Sequence, residues 1–153
     1  MLNCRVKARH VFRSRLFQHE LERRKLQMRL ILLVALGGAI GSVMRYMVGL
    51  ASGWLLGVNF PWGTIAVNIA GSLAMGLVIG FAASTFQLTN ELRVFLATGV
   101  LGGFTTFSAF SLDFALLFER KDYGLAGLYL AGSVGVSILA LFAGLYLVRE
   151  WLN

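Results

Sequence analysis

The stretch Gly102-Gly103-Phe104-Thr105-Thr106-Phe107-Ser108-Ala109-Phe110 lies inside an apolar run long enough to cross a bilayer. Paired glycines and threonines weaken a helix at a depth where no water satisfies freed backbone groups. Irregular backbone there survives only under cover of protein or beside a wet cavity, and its carbonyls then become ligands for an ion. A second polar pattern runs through Thr64, Asn68, Ser72, Gly76 and Gly80 at a strict spacing of four. On a helix this draws one polar-to-small stripe. Small residues let backbones approach in lipid, which accounts for Ser72, Gly76 and Gly80, and for Gly37 and Gly41 upstream. An amide in mid-membrane costs free energy unless paired, and it can offer N–H donors to an anion, so Asn68 is open to either role.

Tyr129, Ser133, Ser137 and Gly144 form a weaker stripe. Its hydroxyls either relay a partly dehydrated ion or bond back to the preceding turn, the commoner fate of a membrane serine. Arg45 is a cation deep within a span, at an insertion cost of roughly 2.5–3.5 kcal/mol at a helix centre. It shares a face with Gly38, Ser42 and Gly49 and is expected to point into the protein. Asp113, near a span end, is expected to reach water. Phe107 and Phe110, if helical, share a face with Phe104 and Phe114. Rings of this kind pack against lipid by default, but an aromatic edge carries positive quadrupole density and can face an anion.

No catalytic constellation accompanies these groups. His10 and His19 lie in a basic leading segment, the carboxylates cluster at span ends, and no phosphate-cradling loop or metal-ligand spacing occurs. An enzyme is not expected.

The elements that must position these residues are membrane helices. Of 153 residues, 58% are hydrophobic and 14% charged, and the mean hydropathy is +0.75. Continuous apolar runs argue for helices over a barrel. Four spans are expected: Leu30 to about Leu50, Gly63 to about Phe86, Val94 to Phe118 with an interruption near Gly102, and Leu125 to Val148. Trp54 and Trp62 suit the interface in the loop 51–62, Gln87 to Glu91 separates the second and third spans, and Glu119 to Gly124 is a short polar turn.

The net charge of +7 is local, since residues 1–27 carry eight Lys and Arg against two Glu. It marks no nucleic-acid surface. Residues 1–27 are expected to be a disordered basic extension or to precede the true start at Met28, with the four-helix transmembrane domain spanning 28–153. From Met28 onward, the side holding both termini has Arg29, Arg93 and Arg149 against Arg120 and Lys121 opposite. Three against two gives almost no orientation bias, which permits an antiparallel dimer; with the arm the count becomes eleven against two.

From Met28 to Trp151 the chain resembles the CrcB/Fluc fluoride channel family. The resemblance rests on Gly37-Gly38-Ala39 through Arg45-Tyr46, Gly63-Thr64 through Asn68-Ile69-Ala70-Gly71-Ser72, Gly99, Gly102 through Ser111, and Tyr123-Gly124. Membership implies an all-α membrane fold of four helices with the third broken, forming a dual-topology, antiparallel homodimer in the cell (inner) membrane, among its lipids. It implies two fluoride pores that let F⁻ leave the cytoplasm and so lower its toxicity. A structural Na⁺ at the dimer centre would be held by the main-chain carbonyls of Gly102 and Thr105. Phe107 and Phe110 match the pore phenylalanines, Asn68 the pore asparagine, Arg45 the first-helix arginine, and Thr64 and Ser133 pore hydroxyls. Phe104 stands where an aliphatic residue is common, and Ala109 replaces a usual threonine. Two other classes are a small proton-coupled multidrug exporter of dual topology and a non-transporting membrane subunit. The exporter needs an embedded carboxylate, which the first span lacks.

Overall fold

A computed structural model describes residues 2–84 and 88–152, with side chains described for residue 15 and from 17 onward. The expected end of the second span near Phe86 lies outside the described residues, as do Gln87 and the side chains of Cys4 and His10. The chain divides into two units, residues 1–32 and 33–153.

In the first unit the basic segment is helical, as the leading part of α1 (Leu2–Leu56), which has no break at Met28. Its exposed ion pairs, Arg24 with Glu20 at 3.4 Å and Lys25 with Glu22 at 2.8 Å, are of the surface kind that contributes little.

The second unit holds the rest of α1, then α2 (Trp62–Ala83). The third span comprises α3 (Asn90–Arg93), a π-helical stretch (Val94–Leu101) and α4 (Gly102–Phe104), and resumes after a break as α5 (Phe107–Glu119). The fourth comprises α6 (Tyr123–Ala131), a π-helical turn (Gly132–Val136) and α7 (Ser137–Leu152). Four helices, among the described residues, are long and apolar enough to cross a membrane. The protein is a multi-pass membrane protein.

Local chemistry sets the boundaries. Pro61 precedes α2, where its missing N–H is harmless. Thr89 caps α3 by accepting from the Leu92 N–H at 3.3 Å. The α5–α6 turn closes with the Asp122 N–H on the Leu117 carbonyl at 3.1 Å and Lys121 in the left-handed region, a Schellman stop without its usual glycine.

Glycines bring the helices together. A methyl on Gly76 would collide with the Leu141 carbonyl, and one on Gly144 with the Leu73 carbonyl, so α2 and α7 cross backbone to backbone. Gly37 and Gly41 do the same for α1 against the π-helical stretch of the third span. These positions bear out the packing expected of the stripes. The face expected to unite Phe104 with Phe107, Phe110 and Phe114 does not form. Phe104 ends α4, and two extended residues separate it from α5.

Candidate functional site

Around the break, donors change partners. Thr105 (φ −80°, ψ 159°) and Thr106 (φ −154°, ψ 125°) are extended. A continuous helix would send the Thr106 N–H to the Gly102 carbonyl; instead it donates to Asn68 Oδ1 at 2.8 Å. It would likewise send the Ala109 N–H to the Thr105 carbonyl, but that N–H donates to the capping Thr106 Oγ1 at 3.2 Å. The carbonyls of Gly102 and Thr105 thus both lose their i+4 donors, as at a helix C-terminus. Asn68 Nδ2 also donates to the Thr106 carbonyl at 3.1 Å. One amide grips both backbone groups of a single residue. An Nδ2 carries two hydrogens, so one donor remains.

Small residues hold the break in place. A Cβ on Gly71 would meet the Thr105 side chain, and one on Gly103 would lie 3.0 Å from the Gly38 Cα. Gly102 is different. Its backbone is ordinary helix, it is exposed, and an added Cβ would meet only the Ala97 carbonyl, at 3.7 Å. Nothing within the chain requires glycine there.

Beyond the break a row of rings begins. Phe107 and Phe110 have centroids 5.5 Å apart, and Phe110 lies 5.3 Å from Tyr129, which meets Phe60 edge-on at 5.7 Å. Phe110 and Tyr129 are buried, whereas Phe107 is 76% exposed. Asn68, Thr106, Phe107, Phe110, Ser133 and Ser137 line a groove of about 340 Å³. The Ser133 and Ser137 hydroxyls are buried there without a hydrogen-bond partner. The back-bonding expected of membrane serines is therefore not made. The π-helical turn widens the spiral at Ser133 and disturbs the i−4 register such a bond needs.

Asp113 does not simply reach water. Its Oδ2 is part-buried and accepts from Thr64 Oγ1 at 2.7 Å and from Tyr129 Oη at 3.0 Å, tying α2, α5 and α6 together. Thr64 and Asp113 also line a second hollow, of about 280 Å³, with Asn59, Trp62 and Arg120.

The expected site residues thus separate into groups. Asn68, Thr105, Phe107, Phe110 and Ser133 share one groove, Gly102 lies three residues before Thr105 at the break, and Thr64 joins the Asp113 cluster. Arg45 is half-buried on α1 and lines neither hollow. Asp113 was not foreseen as part of this cluster, whereas the Ser137 hydroxyl was left open between relaying an ion and back-bonding. The available signal was register, since Asp113 falls three residues after Phe110, one helical turn along the same face.

Comparison with known proteins identifies the family. The family model described as "CrcB-like protein, Camphor Resistance (CrcB)" matches residues 32–145. Among similar proteins is the "Fluoride-specific ion channel FluC" of Chelativorans sp. (strain BNC1), 57% identical over 78% of this chain and 96% of its own length. The protein of the same name from Agrobacterium fabrum is 59% identical over the same shares. That of Rhodospirillum centenum is 53% identical over 80% of this chain and 97% of its own length. These relatives are named as ion channels, not enzymes. A four-span membrane architecture, a family model covering most of the chain and relatives matched nearly end to end establish that the chain belongs to the CrcB family.

Proposed function

We propose that this protein is a passive fluoride-selective channel through which F⁻ leaves the cytoplasm. The observation that carries the reading is the pair of buried, unpartnered hydroxyls, Ser133 and Ser137, in a groove bordered by Asn68 and the Phe107–Phe110 rings. A buried hydroxyl without a partner costs free energy. That cost is offset when an anion accepts from it. Fluoride holds its water tightly, so a path must replace lost water with donors. Here these are hydroxyls, the spare Asn68 N–H and positive ring edges. Binding must also be weak enough for release at each end. An interior held negative drives an anion outward by about 2.3 kcal/mol per 100 mV, so no energy-coupling residue is required.

The Asp113 cluster is the next portion of the path. Its carboxylate holds the Thr64 and Tyr129 hydroxyls in fixed directions at the second hollow. Arg45 would attract anions toward the mouth of the path.

The pore-forming unit is an antiparallel homodimer of dual topology, with a structural Na⁺ on its axis. Three features support this: the carbonyls of Gly102 and Thr105 lack their helical donors, Gly102 has no crowding neighbour within its own chain, and Phe107 is mostly exposed. Carbonyl oxygens suit a hard cation, and two from each of two chains would hold one. A cation held there would neutralise the dipoles of these unpaired carbonyls. The chain's own part is done by Asn68 and Thr106, which keep those carbonyls unpaired.

Fluoride efflux from reconstituted liposomes tests the proposal. The wild-type protein should leak F⁻ selectively, and Phe107→Ile or Phe110→Ile should suppress the flux by a large factor while the dimer persists. Proton-driven cation exchange would identify an exporter, and no flux from any preparation a structural subunit. Normal flux in both variants would return the rings to packing.

A further inference from the structure

The helix α1 is longer than a bilayer needs. Its 55 residues rise about 80 Å, against a hydrocarbon core of about 30 Å. Part of it must therefore lie outside, and the charges say which part: from Leu30 to Leu56 the lone ion is Arg45. Arg23, Arg24, Lys25 and Arg29 stand just before that apolar run, and all four are exposed. By the helical rise Arg23, the farthest of them, is roughly 11 Å from Leu30, whereas Glu22 and Glu20 are at roughly 12 and 15 Å. At 3.6 residues per turn the four cations point to four different azimuths, with no gap wider than about 120°. They form a collar rather than a stripe. A stripe suits one neighbouring helix or the backbone of a nucleic acid, while a collar suits headgroups, which surround a membrane helix on all sides. Internal pairing does not use it up. The pairs of Arg24 with Glu20 and Lys25 with Glu22 are exposed and weak, and among the described residues Arg23 and Arg29 pair with no carboxylate. Leu26 and Met28 are exposed between the cations, apolar surface where acyl chains meet headgroups.

We infer that the collar of Arg23, Arg24, Lys25 and Arg29 binds the phosphodiester headgroups of anionic phospholipid and gathers them around the first span. Clusters of four or more Lys and Arg beside a span attract such headgroups by charge, about fivefold in affinity for each cation near the surface. All four fall within about one Debye length of the apolar run, and the glutamates lie farther out, so attraction outweighs repulsion. The collar meets the headgroups of whichever leaflet its chain emerges from. It therefore needs no single orientation and is compatible with the dual topology and the conducting full chain proposed above. Its residues line neither the groove nor the second hollow, so it shapes the lipid around the protein and not the path through it.

Cys4 is the single cysteine of the sequence, so Cys4→Ser with Gln27→Cys places one donor fluorophore within the collar. The full chain so labelled is reconstituted in phosphatidylcholine vesicles whose two leaflets have the same composition. Energy transfer is measured to a small, equal fraction of phosphatidylglycerol or phosphatidylcholine, each tagged with the acceptor on an acyl chain. Transfer to phosphatidylglycerol should exceed transfer to phosphatidylcholine severalfold in low salt. The excess should disappear at about 1 M salt, where the Debye length is about 3 Å. Changing Arg23, Arg24, Lys25 and Arg29 all to Gln should abolish it in low salt, whereas changing the three arginines to Lys should preserve it. Equal transfer to both lipids would overturn the inference, as would an excess that survives the Gln changes. Equal transfer together with a rise in the label's anisotropy on adding a short DNA duplex would assign the collar to nucleic acid instead. Fluoride efflux is read from the same vesicles. Its absence would count against the proposed channel, while the lipid result would stand by itself.

Discussion

Asn68→Ala separates two roles that a pore-lining amide can have. In the structure this amide accepts from the Thr106 N–H at 2.8 Å and donates to the Thr106 carbonyl at 3.1 Å. Thr106 is buried, 9% exposed, so its released N–H would have little water to turn to. Leaving such a donor unpaired costs about 1–3 kcal/mol, and the second bond contributes about 0.5–1.5 kcal/mol net, for a total of roughly 1.5–4.5 kcal/mol. The freed N–H can also return to the Gly102 carbonyl, which would heal the break and remove a cation ligand. Asn68→Ala should therefore lower the thermal midpoint of the purified protein, abolish any stabilisation by Na⁺ and reduce fluoride flux together. Asn68→Asp distinguishes this from a simple ligand role. Its carboxylate still accepts from Thr106 but faces the Thr106 carbonyl, whereas the protonated acid supplies the missing O–H donor. That variant should be more stable in mildly acidic than in alkaline buffer, beyond any change in the wild type. A midpoint for Asn68→Ala equal to wild type, with flux alone reduced, would refute the clamp and leave Asn68 only a ligand.

Ser133→Ala should move stability and transport in opposite directions. It removes a buried hydroxyl with no partner, so the midpoint should hold or rise, by about 1 kcal/mol at most, while flux falls; a clear loss of stability would mean that the hydroxyl is bonded in the resting protein. Tyr129→Phe and Thr64→Val each strip one donor from Asp113 and should cost about 1–3 kcal/mol, with the double variant worse than the sum because the part-buried carboxylate then stands alone. Denaturation of the four-member cycle measures that coupling, and strict additivity would refute it. Gly144→Val should prevent assembly of α2 against α7, at a cost beyond the usual ~1–3 kcal/mol of overpacking because the obstacle is the Leu73 backbone, whereas Gly132→Ala meets open space and should express normally. Size-exclusion profiles compare the two.

The four spans were legible because a membrane helix must bury its backbone within itself and present about 20 apolar residues, which is a property of one segment at a time. The break was legible for the same reason, since Gly102, Gly103, Thr105 and Thr106 are poor helix material at that depth. The partners across helices were not. A helical wheel shows that Thr64 and Asn68 share a face, yet the first bonds to Asp113 and the second to Thr106. Those assignments depend on how α2 sits against the break and against α7, where Gly71 lies under the Thr105 side chain and Gly76 against the Leu141 backbone, contacts that no single-helix pattern encodes. The serines of the fourth span show the same limit from the other side. Their default partner is their own helix, and the π-helical turn at Gly132–Val136 is what disturbs it. The break in the third span leaves the Gly102 and Thr105 carbonyls without their helical donors, and the serines of the fourth span, without partners of their own, line the groove beside it. Unmade local bonds of this kind cost free energy, and the proposed anion at the hydroxyls and cation at the carbonyls would offset that cost.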